Sequence, residues 1–198
     1  MVDMHAAVCP DADKLDAILE AVPGNRQPPM VMAGWTDTPI GRLLLACTNA
    51  GLCLAEFVEA ERLPGLVNDV RRFFGPAIAQ GEHQHLEQAR TEIADYFAGR
   101  LTRFHVPVVY SGTPFQQAVW RRLREVPYGK TLSYEGLARA VGVPKGQRAV
   151  GRANGQNRIA VIVPCHRVIN KDGRTGGYGA HPWRKDFLLQ LEQRFCPR

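Results

Sequence analysis

The chain has 198 residues, 45% of them hydrophobic and 22% charged, with 25 Lys+Arg against 19 Asp+Glu and a formal net charge of +6. That is enough chain for one large or two small domains with a real core, and it excludes a protein disordered over most of its length. No apolar run approaches the ~20 residues of a membrane span, and Met1–His5 lacks the basic start and apolar segment of a secretory signal, so a cytoplasmic protein is expected.

Residues 1–28 carry Pro10, Pro23, Gly24 and Pro28 around a helix-compatible stretch, Asp13–Ala21, and read as an N-terminal arm. Gly41–Thr48 and Leu52–Val58 read as two strands around Asn49-Ala50-Gly51, a short turn containing glycine. Leu63, Leu66, Val67, Val70 and Phe74 recur at helical spacing, and Gly75-Pro76 stops that helix. A second stripe of Leu86, Ala89, Ile93, Tyr96 and Phe97 predicts a helix ending at Gly99. With the extended piece Phe104–Val109 these make a small α+β scaffold over residues 29–110. Its apolar stripes, Tyr96 included, read as core, and no catalytic cluster is visible in it. His83 and His85 have no cysteine pair at zinc-ligand spacing, so no metal is expected.

Residues 111–198 change character. They carry 16 basic and 5 acidic residues, against 9 and 14 in residues 1–110. A half that basic suits a polyanion, nucleic acid first, although a solvated basic surface would look the same. Thr113-Pro114-Phe115-Gln116 offers a cap, a first-turn proline and a glutamine three after the cap. The helix it starts is expected to bury Phe115, Ala118, Val119 and Leu123. Ser133 can cap a helix through Tyr134, Leu137, Ala138 and Val141, and a further helix can run from Gln147 to about Asn154, carrying Arg148 and Arg152. Two short helices joined by a turn with glycine and proline have helix-turn-helix proportions.

Ile159–Val163 reads as a buried strand by its β-branched run, leading into Pro164-Cys165-His166-Arg167. A cysteine flanked by His and Arg sits in an electropositive setting that favours the nucleophilic thiolate; a half-buried structural cysteine is the competing reading. Cys9, Cys47, Cys53 and Cys196 have no such neighbours. Five cysteines without repeated spacing do not make a disulfide framework and suit a reducing compartment.

The segment Pro164-Cys165-His166-Arg167-Val168, preceded by Val150-Gly-Arg-Ala-Asn-Gly-Gln-Asn157, resembles the signature of the O6-alkylguanine-DNA alkyltransferases, the methylated-DNA–protein-cysteine methyltransferases. The likeness extends over Thr38–Leu43, Phe115–Trp120, Pro127–Thr131, Gly176–Gly179 and Arg184–Glu192, and so over about residues 30–195. The resemblance implies a small ribonuclease H-like α/β domain followed by a mostly helical, winged helix-turn-helix-like domain at residues 111–198.

It also implies a reaction. An O6-alkylguanine (O6-methylguanine, with O4-methylthymine as a further candidate) is flipped out of double-stranded DNA and its alkyl group passes irreversibly to Cys165, once per chain, with no cofactor. By the same resemblance His166 takes the thiol proton through a water and Glu192 orients the imidazole, a nucleophile–base–orienter relay. Tyr134 favours extrusion and helps to neutralise the departing guanine. Asn157 pins the turn before the cysteine. Arg148 fills the gap left by the extruded base, at an unstacking cost of about a few kcal/mol. Tyr178 and Gly179 belong to the guanine pocket, and Ser133, Ala149 and Arg152 to the DNA surface.

The helix is expected in the minor groove on the resemblance alone. Arg158 replaces the proline usual after the asparagine, which is expected to loosen that turn. Gly179 stands where some members have serine. A monomer in solution is expected, with cooperative assembly on DNA left open and no membrane partner. A non-catalytic helix-turn-helix binder or lesion sensor is the main alternative, and a cysteine hydrolase a more distant one.

Overall fold

The structure, a computed structural model, describes residues 31–59, 61–178 and 181–196. The N-terminal arm and Gly179 lie outside them. The described chain is α+β and divides into two compact units, residues 31–92 with 106–109, and residues 93–105 with 110–196.

The first unit is built on a four-stranded sheet of β1 (Val31–Thr38), β2 (Gly41–Thr48), β3 (Gly51–Phe57) and β4 (Ile78–Gln80), in the order β3-β2-β1-β4. The β1–β2 and β2–β3 pairs are antiparallel and β4 runs parallel to β1. Leu43, Leu44, Leu45 and Ala46 are all buried, so both faces of β2 are covered, which explains an apolar run rather than alternation. On one face α1 (Leu63–Phe74) packs Leu63, Leu66, Val67 and Val70 against Val31, Ala33, Leu44, Ala46 and Leu54. The long helix α2 (Gln84–Phe97) begins in this unit and ends in the other. Strands β1 and β4 were not expected. β1 mixes Ala33 and Gly34 with Trp35 and carries no clean alternation, and three residues of β4 are too few to leave a pattern.

The second unit contains the last turns of α2, then α3 (Pro114–Leu123), β5 (Leu132–Ser133), α4 (Tyr134–Ala140), α5 (Gln147–Gly155), a 3-10 turn at Cys165–Arg167, β6 (Val168–Ile169) and α6 (Pro182–Phe195). Thr113 and Gln116 form the expected capping box at the start of α3. Ser133 caps α4 by accepting from the Gly136 N–H at 3.0 Å. The residue before it pairs Leu132 with Val168, and Ser133 itself pairs with Ile169, in a short parallel ladder of β5 and β6. This ladder fixes the start of the helix pair to the chain just after Cys165.

Two expectations are corrected here. On α3 it is Trp120, not Ala118, that is buried; Ala118 is exposed, and the indole N–H of Trp120 reaches the Ala153 carbonyl on α5 at 2.8 Å. This bond ties the first helix of the domain to the end of α5. The second correction concerns Ile159–Val163, which is buried but is not a strand. The chain closes there into successive turns, with Val163 N–H on the Ile159 carbonyl at 2.9 Å and Ile162 N–H on the Ala160 carbonyl at 2.8 Å. Val161 takes φ +69°, a left-handed conformation that is unusual for a β-branched residue.

Candidate active site

Asn157 decides the geometry between α5 and Cys165. Its Oδ1 accepts the Ile159 N–H at 3.0 Å, an Asx turn, and its Nδ2 donates to the Val163 carbonyl at 2.9 Å. The same Nδ2 lies 3.1 Å from Cys165 Sγ. One amide therefore closes the turn and touches the sulfur. Asn154, still on α5, donates to the Cys165 carbonyl at 3.3 Å. Arg158 takes no part in these bonds, and the turn is held by Asn157 with arginine at that position.

Cys165 is 6% exposed, at the first position of the 3-10 turn, and His166 and Glu192 are fully buried. His166 Nε2 meets Glu192 Oε1 at 2.8 Å. Since a carboxylate can only accept, Nε2 carries the hydrogen and Nδ1 holds the lone pair; Nδ1 is buried with no protein partner among the described residues.

Glu192 is bound on every side. The Tyr96 hydroxyl donates to Oε1 at 2.7 Å, and Arg167 donates through Nη2 to Oε1 at 2.9 Å and through Nε to Oε2 at 3.0 Å. The Gly129 N–H donates to Oε2 at 3.0 Å. Gly129 sits at φ +69° and a Cβ there would lie 2.7 Å from Cys196 Sγ, so this turn needs glycine twice over. Burial would raise the Glu192 carboxyl, but the hydrogen bond from His166 and the bonds and charge of Arg167 outweigh it and hold the group at about 2. Burial pushes the His166 imidazole below its ordinary 6.5, further than the Glu192 carboxylate lifts it. The pair is thus a neutral imidazole on an ionised carboxylate.

Tyr134 opens α4, and its ring lies 3.7 Å from where a Cβ on Gly151 of α5 would stand. Its hydroxyl is 3.0 Å from the Cβ position of Gly176, in the loop before α6. Burial raises the phenol above its usual value, and a negative charge on Cys165 raises it further. The phenol therefore stays protonated while Cys165 carries a charge. Tyr178 is half-buried two residues beyond Gly176. Arg148, Ala149 and Arg152 stand exposed on α5, on the side away from buried Val150, Ala153 and Asn154.

Four residues without an expected role enter this site, Tyr96, Gly129, Asn154 and Lys185, while Arg167, expected as part of an electropositive setting for Cys165, has its guanidinium on Glu192 and the Val126 carbonyl. Lys185 is fully buried, donates to the Val168 carbonyl at 2.5 Å, and has its Nζ 5.9 Å from the Tyr134 ring centre. Burial lowers its pKa, while the charges of Cys165 and Asp186 work the other way. Lys185 stands between Arg184 and Asp186 in the sequence, a charged run that gives no sign of its burial. Tyr96 gave none, because a tyrosine on an amphipathic stripe looks like core.

A family model described as the ribonuclease-like domain of 6-O-methylguanine DNA methyltransferase matches residues 31–110, and one described as its DNA binding domain matches residues 114–194. A methylated-DNA–protein-cysteine methyltransferase from Methanosarcina barkeri is 38% identical over 160 residues, covering 79% of this chain and 94% of that protein. The chain belongs to the O6-methylguanine-DNA methyltransferase family.

Solved methyltransferase structures agree. The crystal structure of Mycobacterium tuberculosis O6-methylguanine methyltransferase matches with a TM-score of 0.74 at 40% identity, over 85% of this chain and 96% of that one. The crystal structure of Mycobacterium tuberculosis OGT in complex with DNA matches with a TM-score of 0.70 at 39% identity, over 84% and 94%. No helix among the described residues is long and apolar enough to cross a membrane.

Proposed function

We propose that this protein is a DNA-repair alkyltransferase that moves the alkyl group of O6-alkylguanine, O6-methylguanine above all, onto Cys165. The observation that carries the reading is the ordered contact of Asn157 with Cys165 Sγ beside the buried His166–Glu192 pair. The Cys165 proton leaves through a water to His166 Nδ1, and Glu192 holds the ring in the tautomer that leaves Nδ1 free to accept. The thiolate sulfur attacks the alkyl carbon, a C–S bond forms and the C–O6 bond breaks. The electron pair goes to O6, and the departing guanine is neutralised by a proton, for which the Tyr134 phenol is the nearby donor. The thioether is stable and nothing in the reaction restores the thiol, so each chain acts once.

A base inside a duplex is out of reach of a sulfur this buried, so the base must leave the stack. Exposed Arg148 on α5 is suited to fill its place, and Arg152 to hold phosphate. To Tyr178, half-buried in the loop before α6, we assign the covering of the guanine, and to Gly179, which lies outside the described residues, a share of the same pocket. Half-buried Ser133 and exposed Ala149 are assigned to the DNA surface as well. The basic second half supplies attraction to the backbone that does not depend on sequence. O4-methylthymine remains a second candidate substrate. The described cysteines Cys47, Cys53, Cys165 and Cys196 are free, which supports a reducing, cytoplasmic setting for a protein that must keep its thiol. We take the working unit to be a monomer, with assembly of neighbours along DNA open to measurement.

The test is transfer from duplex DNA carrying radiolabelled O6-methylguanine. At most one label per chain is expected, on the peptide holding Cys165, and none in Cys165→Ser. Several turnovers per chain, label elsewhere, or binding without transfer would overturn the proposal.

A further inference from the structure

We infer that Tyr96 is a positioning residue of the transfer reaction, keeping His166 neutral and correctly turned through its bond to Glu192. The inference rests on the alkyl-transfer reading above and adds a member to the site that the motif set does not include. Tyr96 belongs to α2, on a stripe that reads as core, and its ring does pack there, edge-on to Phe97 and Tyr128 with centroids 5.4 and 5.9 Å away. The hydroxyl does something else. Fully buried, it donates to Glu192 Oε1 at 2.7 Å, the oxygen that also takes His166 Nε2–H, and it stands 3.4 Å from Nε2 itself.

That placement has an electrostatic meaning. A carboxylate oxygen that already accepts from a phenol and from Arg167 pulls less strongly on the imidazole N–H, because the donors share its charge. Without the phenol, Glu192 would favour imidazolium, and His166 would hold a proton at the moment it must accept one. Burial keeps the phenol protonated and so a permanent donor, and the neighbouring Glu192 charge pushes in the same direction. The charged and titratable groups facing His166 are Glu192 from α6, Arg167 beside it, Lys185 from α6 and Tyr96 from α2. Arg167 and Lys185 also oppose imidazolium; Tyr96 does so without a charge and at the oxygen that touches the ring.

The test uses the full chain and single-turnover transfer from O6-methylguanine duplex DNA across pH. In Tyr96→Phe the acid limb of the rate profile should move to higher pH by roughly one unit, with transfer near that limb slowed about tenfold. His166 ring NMR should show the same displacement. Site-specific 3,5-difluorotyrosine at position 96 keeps the ring and strengthens the donor, and should move the limb the other way; it guards against a Tyr96→Phe protein that folds poorly. A rate lowered equally at every pH, or an unmoved limb in both variants, would leave Tyr96 a packing residue and overturn the inference. Absence of transfer in the unaltered protein would instead defeat the alkyl-transfer reading.

Discussion

Asn157 Nδ2 lies 3.1 Å from Cys165 Sγ and 2.9 Å from the Val163 carbonyl, so one amide joins the nucleophile to the fold of the turn before it. The two contacts predict that Asn157→Ala damages both. Leaving the Ile159 N–H without a partner, and the Val163 carbonyl with the Cys165 N–H as its one remaining donor, should cost about 1–3 kcal/mol, read as a lower denaturation midpoint. Single-turnover transfer should fall by more than the folded fraction does. Asn157→Asp, which keeps the Asx turn but can donate neither to the Val163 carbonyl nor to sulfur, should recover the part of the stability that the turn supplies and none of the transfer. Equal recovery of both would show that the sulfur contact is idle.

The buried carboxylate predicts a pH dependence of stability. Glu192 is held at about 2, below its ordinary 4.5, so the unfolded chain binds its proton first as pH falls. The stabilisation is complete above about 4.5 and is lost as the pH falls from there towards about 2. His166 is also held below its ordinary 6.5, so its share begins to fall away below that pH in the same sense. Urea denaturation from pH 7 to pH 3 should show a continuous loss. In Glu192→Gln the low-pH part of that loss should vanish, but the whole curve should sit about 3–5 kcal/mol lower because Arg167 is left buried without its partner.

Gly176 gives a local test of the tyrosine beside the sulfur. A Cβ there would come within 3.0 Å of the Tyr134 hydroxyl, so Gly176→Ala must displace either the loop or the phenol. Transfer should slow severalfold with little change in denaturation midpoint, since Gly176 is half-exposed. A variant as fast as the parent would mean that the phenol position is unimportant.

The two exposed arginines of α5 should behave differently. Arg152→Ala should weaken binding to any duplex and reduce the slope of log affinity against log salt by about one, as expected for one lost phosphate contact. Arg148→Ala should change affinity less than it changes transfer, because its work comes after docking, when the base is out of the stack. Fluorescence anisotropy over a salt series, paired with single-turnover transfer, separates the two. Identical behaviour would reduce Arg148 to a phosphate contact.

Much of this was legible in order along the chain. Thr113 and Gln116, Ser133, and the Gly75 and Gly99 stops are local devices, and local devices leave local patterns. Cys165 and His166 stand side by side, so their chemistry was visible as well. The rest depended on partners far apart. Glu192 meets Tyr96 across 96 residues and Arg167 across 25, and no periodicity encodes such a meeting. Ile159–Val163 misled for a different reason: a buried apolar run announces burial, and only the Asn157 side chain decides that it is coiled rather than extended. Residues 29–110 read as one scaffold holding no part of a site; in the structure residues 93–105 belong to the other unit, and the Tyr96 hydroxyl among them meets Glu192.

Cys165 is 6% exposed, with its sulfur against Asn157 and its carbonyl against Asn154. After reaction the same position carries at least one carbon more, and the sulfur has lost its charge as an acceptor. Extra carbon in a close-packed place costs about 1–3 kcal/mol, and here the strain falls on the turn that joins α5 to the site. The spent protein should therefore melt earlier than the fresh one and let go of the duplex more readily. A population of these molecules would carry a written history of lesions met, readable as the fraction that has become easier to unfold.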